Sequence, residues 1–138
     1  METSSLDTNL VVHYLIGDIL EQRNQVARLL RTTGVTYYYT NMALSETLYV
    51  LEKYYQLPRE DIVAMLNFFL TRYSDRLIYD HTLTALAFPY YLSHPKLSWV
   101  DCALAAEAEI HHHEPLWTFD KKLANQLPQA KLLNAQTP

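Results

Sequence analysis

Val35-Thr36-Tyr37-Tyr38-Tyr39-Thr40 runs straight into Asn41-Met42-Ala43-Leu44-Ser45-Glu46-Thr47-Leu48. The first six residues are β-branched or aromatic and predict a buried strand over 35–40. The following residues change period: Leu44, Leu48, Val50 and Leu51 recur at helical spacing, so a helix begins with Asn41 as its cap and ends near Tyr55. A strand that hands over directly to a helix is the unit of a parallel sheet with covering helices. The helix also carries a carboxylate, Glu46, in its second turn.

The same alternation extends in both directions. Upstream, a short extended piece ends at Leu6, although Thr3-Ser4-Ser5 is poor strand sequence. Leu10, Val11, Tyr14 and Leu15 then mark one helix, and Ile19, Val26, Leu29 and Leu30 a second that Gly34 stops. Downstream, Pro58 suits the first turn of a helix with Ile62, Met65, Leu66 and Phe69 as its buried stripe. Arg76 to Tyr79 predicts a third strand, followed by a helix through Leu83, Leu86 and Tyr90. Ser98 opens another helix, through Ala103, Leu104, Ala105 and Ala108. Leu116 to Phe119 is a fourth strand, Lys121 to Gln126 a short helix, and Lys131 to Leu133 a last edge strand. The class is α/β: a short parallel sheet of four to five strands, covered by helices on both faces. One domain spans 1–138, with the polar residues 134–138 as a flexible tail.

The chain has 138 residues, 49% hydrophobic and 19% charged, enough for one buried core. No apolar run reaches the length of a membrane span, and Met1 to Leu6 lacks the basic start and apolar segment of a secretory signal. The expected location is the cytoplasm. Cys102 is the single cysteine, which excludes an internal disulfide and a cysteine-based zinc cage. The net charge of −4 is not that of a protein that coats DNA. Two bound divalent cations would bring that charge near neutrality, so a nucleic-acid enzyme whose carboxylates are loaded with metal stays open.

Four acids fall where strands give way to helices, the place where open parallel sheets bind ligands. Asp7 follows the first strand and Asp120 the fourth; Glu46 and Asp101 lie in early turns of their helices. Hard oxygen ligands without a Cys or His motif suit Mg²⁺ or Mn²⁺. Two carboxylates about 5 Å apart repel by roughly 3 kcal/mol at an effective dielectric of about 20, so a converging set implies bound metal or raised pKa values. Each acid also has a structural reading. Asp7 and Asp120 suit helix caps. Ser98-Trp99-Val100-Asp101 has the form of a capping box, with Asp a short reach for its usual Glu or Gln. Glu46 resists such a reading best, because Ala43 and Val50 flank it on its helix face and a carboxylate on an apolar stripe needs a partner.

Leu6-Asp7-Thr8-Asn9, Leu44-Ser45-Glu46-Thr47-Leu48 with Tyr49-Val50-Leu51, Val100-Asp101-Cys102-Ala103-Leu104-Ala105-Ala106, and Leu116-Trp117-Thr118-Phe119-Asp120-Lys121-Lys122-Leu123 occur in that order across nearly the whole chain. This ordered set resembles the PIN-domain nucleases, most closely the VapC-type toxins of toxin–antitoxin pairs. The resemblance implies a three-layer PIN-like fold and a metal-dependent endoribonuclease. In it Asp7, Glu46, Asp101 and Asp120 hold Mg²⁺ or Mn²⁺, with Asn9 and Thr118 in support. It further implies products with 5′-phosphate and 3′-hydroxyl ends, a cognate antitoxin and a homodimer. Trp99 and His111-His112-His113 lie outside the family pattern.

Arg72, Arg76, Lys121 and Lys122 are candidates for phosphate contacts, and tyrosines among the eleven for stacking on single-stranded RNA, although most tyrosines serve packing. The three histidines point in different directions on a helix and read as an exposed helix end. Cys102 reads as a small buried residue. Three other functions compete: a PIN-fold nuclease acting on DNA or in RNA processing, a non-catalytic protein-binding module, and a phosphoryl-accepting domain. The last lacks a second acid beside Asp7.

Overall fold

A computed structural model describes residues 2–135 and divides the chain into two compact units, 1–80 and 81–138. The first unit contains β1 (Glu2–Ser5), α1 (Thr8–Ile16), α2 (Leu20–Leu30), β2 (Val35–Tyr38), α3 (Asn41–Tyr49), α4 (Arg59–Arg72) and β3 (Leu77–Ile78). Beyond Tyr49, α3 widens into a π-helical turn over Val50–Tyr54. The strands lie in the order β1-β2-β3, all parallel, with Ser5 opposite Tyr38 and Tyr38 opposite Ile78. Each step to the next strand passes through helices, as parallel pairing requires.

The boundaries have local causes. β2 stops at Tyr38 because Thr40 is the cap of α3: its hydroxyl accepts the Ala43 N–H at 3.2 Å. The expected cap, Asn41, instead donates through its amide to the Asp80 carboxylate at 3.1 Å. α1 ends on Gly17, whose φ of 66° suits glycine and whose N–H reaches the His13 carbonyl. Gly34, at φ 80°, lies beyond the end of α2 and turns the chain into β2. α2 buries Val26 and Leu30, whereas Ile19 and Leu29, expected in its stripe, are exposed.

The core of this unit is built on α4. Ile62, Leu66 and Phe69 are fully buried, joined by Leu70; Met65 is only half-buried. The Phe69 ring lies 5.4 Å from Tyr14, 6.2 Å from Tyr39 and 5.6 Å from Tyr73, all tilted or edge-on, the geometry aromatic quadrupoles favour. Their hydroxyls are satisfied: Tyr14 and Tyr73 share a hydrogen bond of 3.0 Å, and Tyr39 donates to Thr47 at 2.6 Å.

The second unit contains α5 (His81–Ser93), α6 (Trp99–Ile110), β4 (Leu116–Thr118), α7 (Lys121–Gln126) and β5 (Ala130–Leu132). α5 packs along α6, whose buried Cys102, Ala103, Ala105 and Ala106 allow close approach. The Trp99 ring lies 5.4 Å from Phe88 and, edge-on, 5.8 Å from Tyr91. Nearly fully buried, Gln129 donates to the Tyr90 hydroxyl at 2.7 Å and to Glu109 at 3.1 Å.

The secondary structure is mixed α/β with parallel pairing, but among the described residues the sheets are smaller than the single sheet of four to five strands expected. Three strands pair in the first unit and two, β4 with β5, in the second. Strands of two to four residues make short ladders, and all four residues of β1 are exposed, in keeping with its polar sequence. Asn134 and Ala135 are exposed; the remainder of the expected tail, 136–138, lies outside the described residues. Among the described residues no helix is long and apolar enough to cross a membrane.

Burial pushes the Tyr39 phenol well above its ordinary value, against a smaller opposing effect of its hydrogen bond to Thr47. Tyr14 is raised by burial and then by the Tyr73 hydroxyl. A raised phenol favours the folded state below the unfolded value near 10 and loses that contribution as pH climbs past it. The urea midpoint should therefore hold steady from about pH 7 to 9 and fall above about pH 10, with a shallower fall in Tyr39→Phe. Truncating the centre of the cluster, Phe69→Ala, should cost about 3–5 kcal/mol in the same titration at pH 7.

Candidate active site

Asp7 is placed by backbone pairing. The Leu6 N–H continues the β1 ladder to the Tyr38 carbonyl at 2.9 Å, and Leu6 is buried, so Asp7 emerges at the carboxyl end of the strand. There it caps α1, with Oδ1 accepting the Thr8 N–H at 2.8 Å. The buried Thr8 hydroxyl donates to the Ala43 carbonyl at 3.4 Å and ties the start of α1 to the start of α3. Glu46 follows three residues later.

These ties bring Asp7 and Glu46 to the wall of one pocket of about 450 Å³, lined also by Asn9, His13, Tyr49, Tyr54 and Tyr55. Glu46 is exposed rather than set within the apolar stripe. The reason is rotational: α3 buries Ala43, Leu44, Thr47 and Leu48, and residue 46 falls outside that arc. No Lys or Arg lines the pocket, and neither carboxylate has a cationic partner among the described residues. The donor chemistry fits Mg²⁺, which takes one or two carboxylates and completes its shell with water and substrate phosphate. Within neither unit do three His, Cys, Asp or Glu side chains form a metal-ligand group among the described residues.

The other two acids belong to the second unit. Asp101 closes a complete capping box: Ser98 Oγ accepts its N–H at 3.1 Å and its Oδ2 accepts the Ser98 N–H at 3.2 Å. The shorter side chain reaches after all. Asp120 caps α7, with Oδ1 accepting N–H groups of Lys122 at 2.9 Å and Leu123 at 3.4 Å. Thr118 steadies it by accepting the Asp120 N–H at 2.9 Å.

His111 ends α6, and His111, His112 and His113 are all exposed. Cys102 is fully buried. Arg72 and Arg76 line a separate pocket of about 260 Å³ with Arg31, and Lys121 and Lys122 open α7. His13 and Tyr49 are the pocket residues that the sequence reading missed. Both were legible as spacing, His13 four residues after Asn9 and Tyr49 three after Glu46.

The chain is similar to VapBC2 from Rickettsia felis. That protein's crystal structure is of VapBC2 bound to a DNA fragment from its promoter. The likeness covers 96% of this chain and 98% of that one, at 20% identity and a TM-score of 0.40. No protein-family model matches the chain, and no curated protein matches it. The resemblance to the VapC-type toxins is carried by the ordered motifs of the sequence.

Asn caps helices about as well as Asp, whereas Ala does not. Asp7→Asn and Asp120→Asn should leave the melting temperature nearly unchanged, while Asp120→Ala should lower it by about 3–5 °C, the equivalent of about 1 kcal/mol, in a calorimetric scan.

Proposed function

We propose that this chain is a metal-dependent endoribonuclease of the PIN type, the toxin of a toxin–antitoxin pair. One observation carries the reading: Asp7 and Glu46, from separate elements, face one pocket that contains no lysine or arginine. Carboxylates gathered without cationic side chains are the chemistry of a site that takes its positive charge from a metal. Asp7 and Glu46 are the residues of the first unit that would hold Mg²⁺ or Mn²⁺. A cation bound there supplies Lewis acidity toward a phosphoryl oxygen and a water nucleophile.

The chain's own contribution is orientation. The cap contact fixes Asp7 Oδ1 on the Thr8 N–H, which sets the direction of the whole carboxylate. Asn9 lies within the same pocket, in the supporting position that the motif implies. Asp101 and Asp120, with Thr118, enter the proposal through their motifs and the family resemblance. The same resemblance supports RNA as substrate, an antitoxin and a second copy of the chain as partners, and the cytoplasm as location.

A second reading, a non-catalytic binding module, is favoured by the capping contacts that give Asp7, Asp101 and Asp120 structural work. The two readings separate on metal. If the nuclease reading holds, Mn²⁺ at about 100 times its Kd stabilises the protein by about 2.7 kcal/mol, and Asp7→Asn and Glu46→Gln each abolish RNA cleavage with an unchanged urea midpoint. A binding module gives no Mn²⁺ shift, and its purified wild-type chain leaves RNA intact.

A further inference from the structure

The π-helical turn after α3 changes which side chains share a face. Its closing hydrogen bond runs from the Tyr55 N–H to the Val50 carbonyl, five residues back, at 3.1 Å. In an α-helix, residues five apart point well away from each other. The wider turn brings Tyr49 and Tyr54 to the same pocket as Asp7 and Glu46, while Leu51 of that turn is fully buried. π-Turns of this kind recur at functional sites.

Tyr49 is 65% exposed and Tyr54 78% exposed, so neither ring is committed to the core. Tyr54 is buttressed edge-on by Tyr55, with ring centroids 5.0 Å apart at 76°. Thr8 also lines the pocket but its hydroxyl is committed to the Ala43 carbonyl, which leaves Asn9, with donors and an acceptor, and His13, whose Nδ1 is buried with no hydrogen-bond partner among the described residues. Planar faces, hydrogen-bonding edges and about 450 Å³ suit one heteroaromatic ring. The lack of a lysine or arginine among its described lining residues argues against an acidic peptide there.

We infer that Tyr49 and Tyr54 form a stacking platform for one unpaired nucleobase beside the Asp7 and Glu46 carboxylates. The inference rests on the nuclease reading for its choice of RNA and deepens it: the strand must be single or looped where it enters, because a base inside a duplex is stacked on both faces. Stacking on an aromatic tolerates any base, so the platform selects strandedness, and the Asn9 and His13 edges add base preference.

The test is binding of a fluorescein-labelled single-stranded RNA heptamer in EDTA, where cleavage is stopped, beside the same sequence as DNA and as duplex RNA. Tyr54→Ala and Tyr49→Ala should weaken single-strand binding by about 10- to 100-fold, Tyr54→Phe should restore it, and duplex binding should not respond. A single-stranded DNA that binds as tightly and responds alike keeps the platform but removes RNA selectivity from it. Alanine variants within twofold of wild type overturn the inference, as does an equal loss on duplex. A wild-type chain that stacks RNA through Tyr54 yet never cleaves it with Mn²⁺ sinks the nuclease reading and leaves the platform standing. Asp7-dependent cleavage that ignores both tyrosines does the reverse.

Discussion

The carbonyl oxygen of Ala43 receives two buried hydroxyls, Thr8 from α1 at 3.4 Å and Thr47 from α3 at 2.7 Å. Thr47 in turn accepts the Tyr39 hydroxyl at 2.6 Å. This chain of hydrogen bonds locks the N-terminus of α1 against the first turns of α3, and the candidate site depends on it. A typical bond of this sort contributes only about 0.5–1.5 kcal/mol net. Breaking one leaves a buried polar atom unpaired, at about 1–3 kcal/mol, so the arrangement is held more firmly than any single bond suggests. The Phe69 cluster supplies the apolar mass behind it, and the hydroxyls choose the register.

Much of this was legible because short polar signals decide helix starts. Ser98 and Asp101 announce their capping box, Asp120 its helix, and the change of period places a strand before a helix at residues 35–48, although the strand ends at Tyr38 and buries only Tyr37 where a buried strand over 35–40 was expected. The failures are equally physical. Thr40 and Asn41 are both competent caps and adjacent, and the choice between them is made by Asp80, which recruits the Asn41 amide from 39 residues away. The partition of the strands was not legible, since runs of two to four residues are too short for a periodic pattern to reveal their neighbours. The widening of α3 into a π-turn carries no composition signal at all, and with it went the placement of Tyr54.

The site reading divides along the same line. That acids lie at strand–helix junctions follows from sequence order alone; that Asp7 and Glu46 share a pocket follows only from the Thr8–Ala43 tie. Glu46 was singled out for a reason the structure corrects. It is not a buried carboxylate seeking a partner but an exposed one just outside the buried arc of α3.

A helix cap gives an aspartate structural work without using both of its oxygens. A strand's carboxyl end is where a helix N-terminus begins, so an acid placed there meets unpaired N–H groups and the positive end of the helix dipole together. Asp7 spends Oδ1 on its cap, and Asp120 spends Oδ1 on both of its bonds. The cap thus orients the carboxylate while its second oxygen stays outside those contacts, and the dipole offsets part of the repulsion that gathered anions would feel. The same cap also explains how a pocket of two carboxylates without lining lysine or arginine among the described residues remains compatible with a stable fold: part of its negative charge is compensated by the backbone N–H groups behind Asp7.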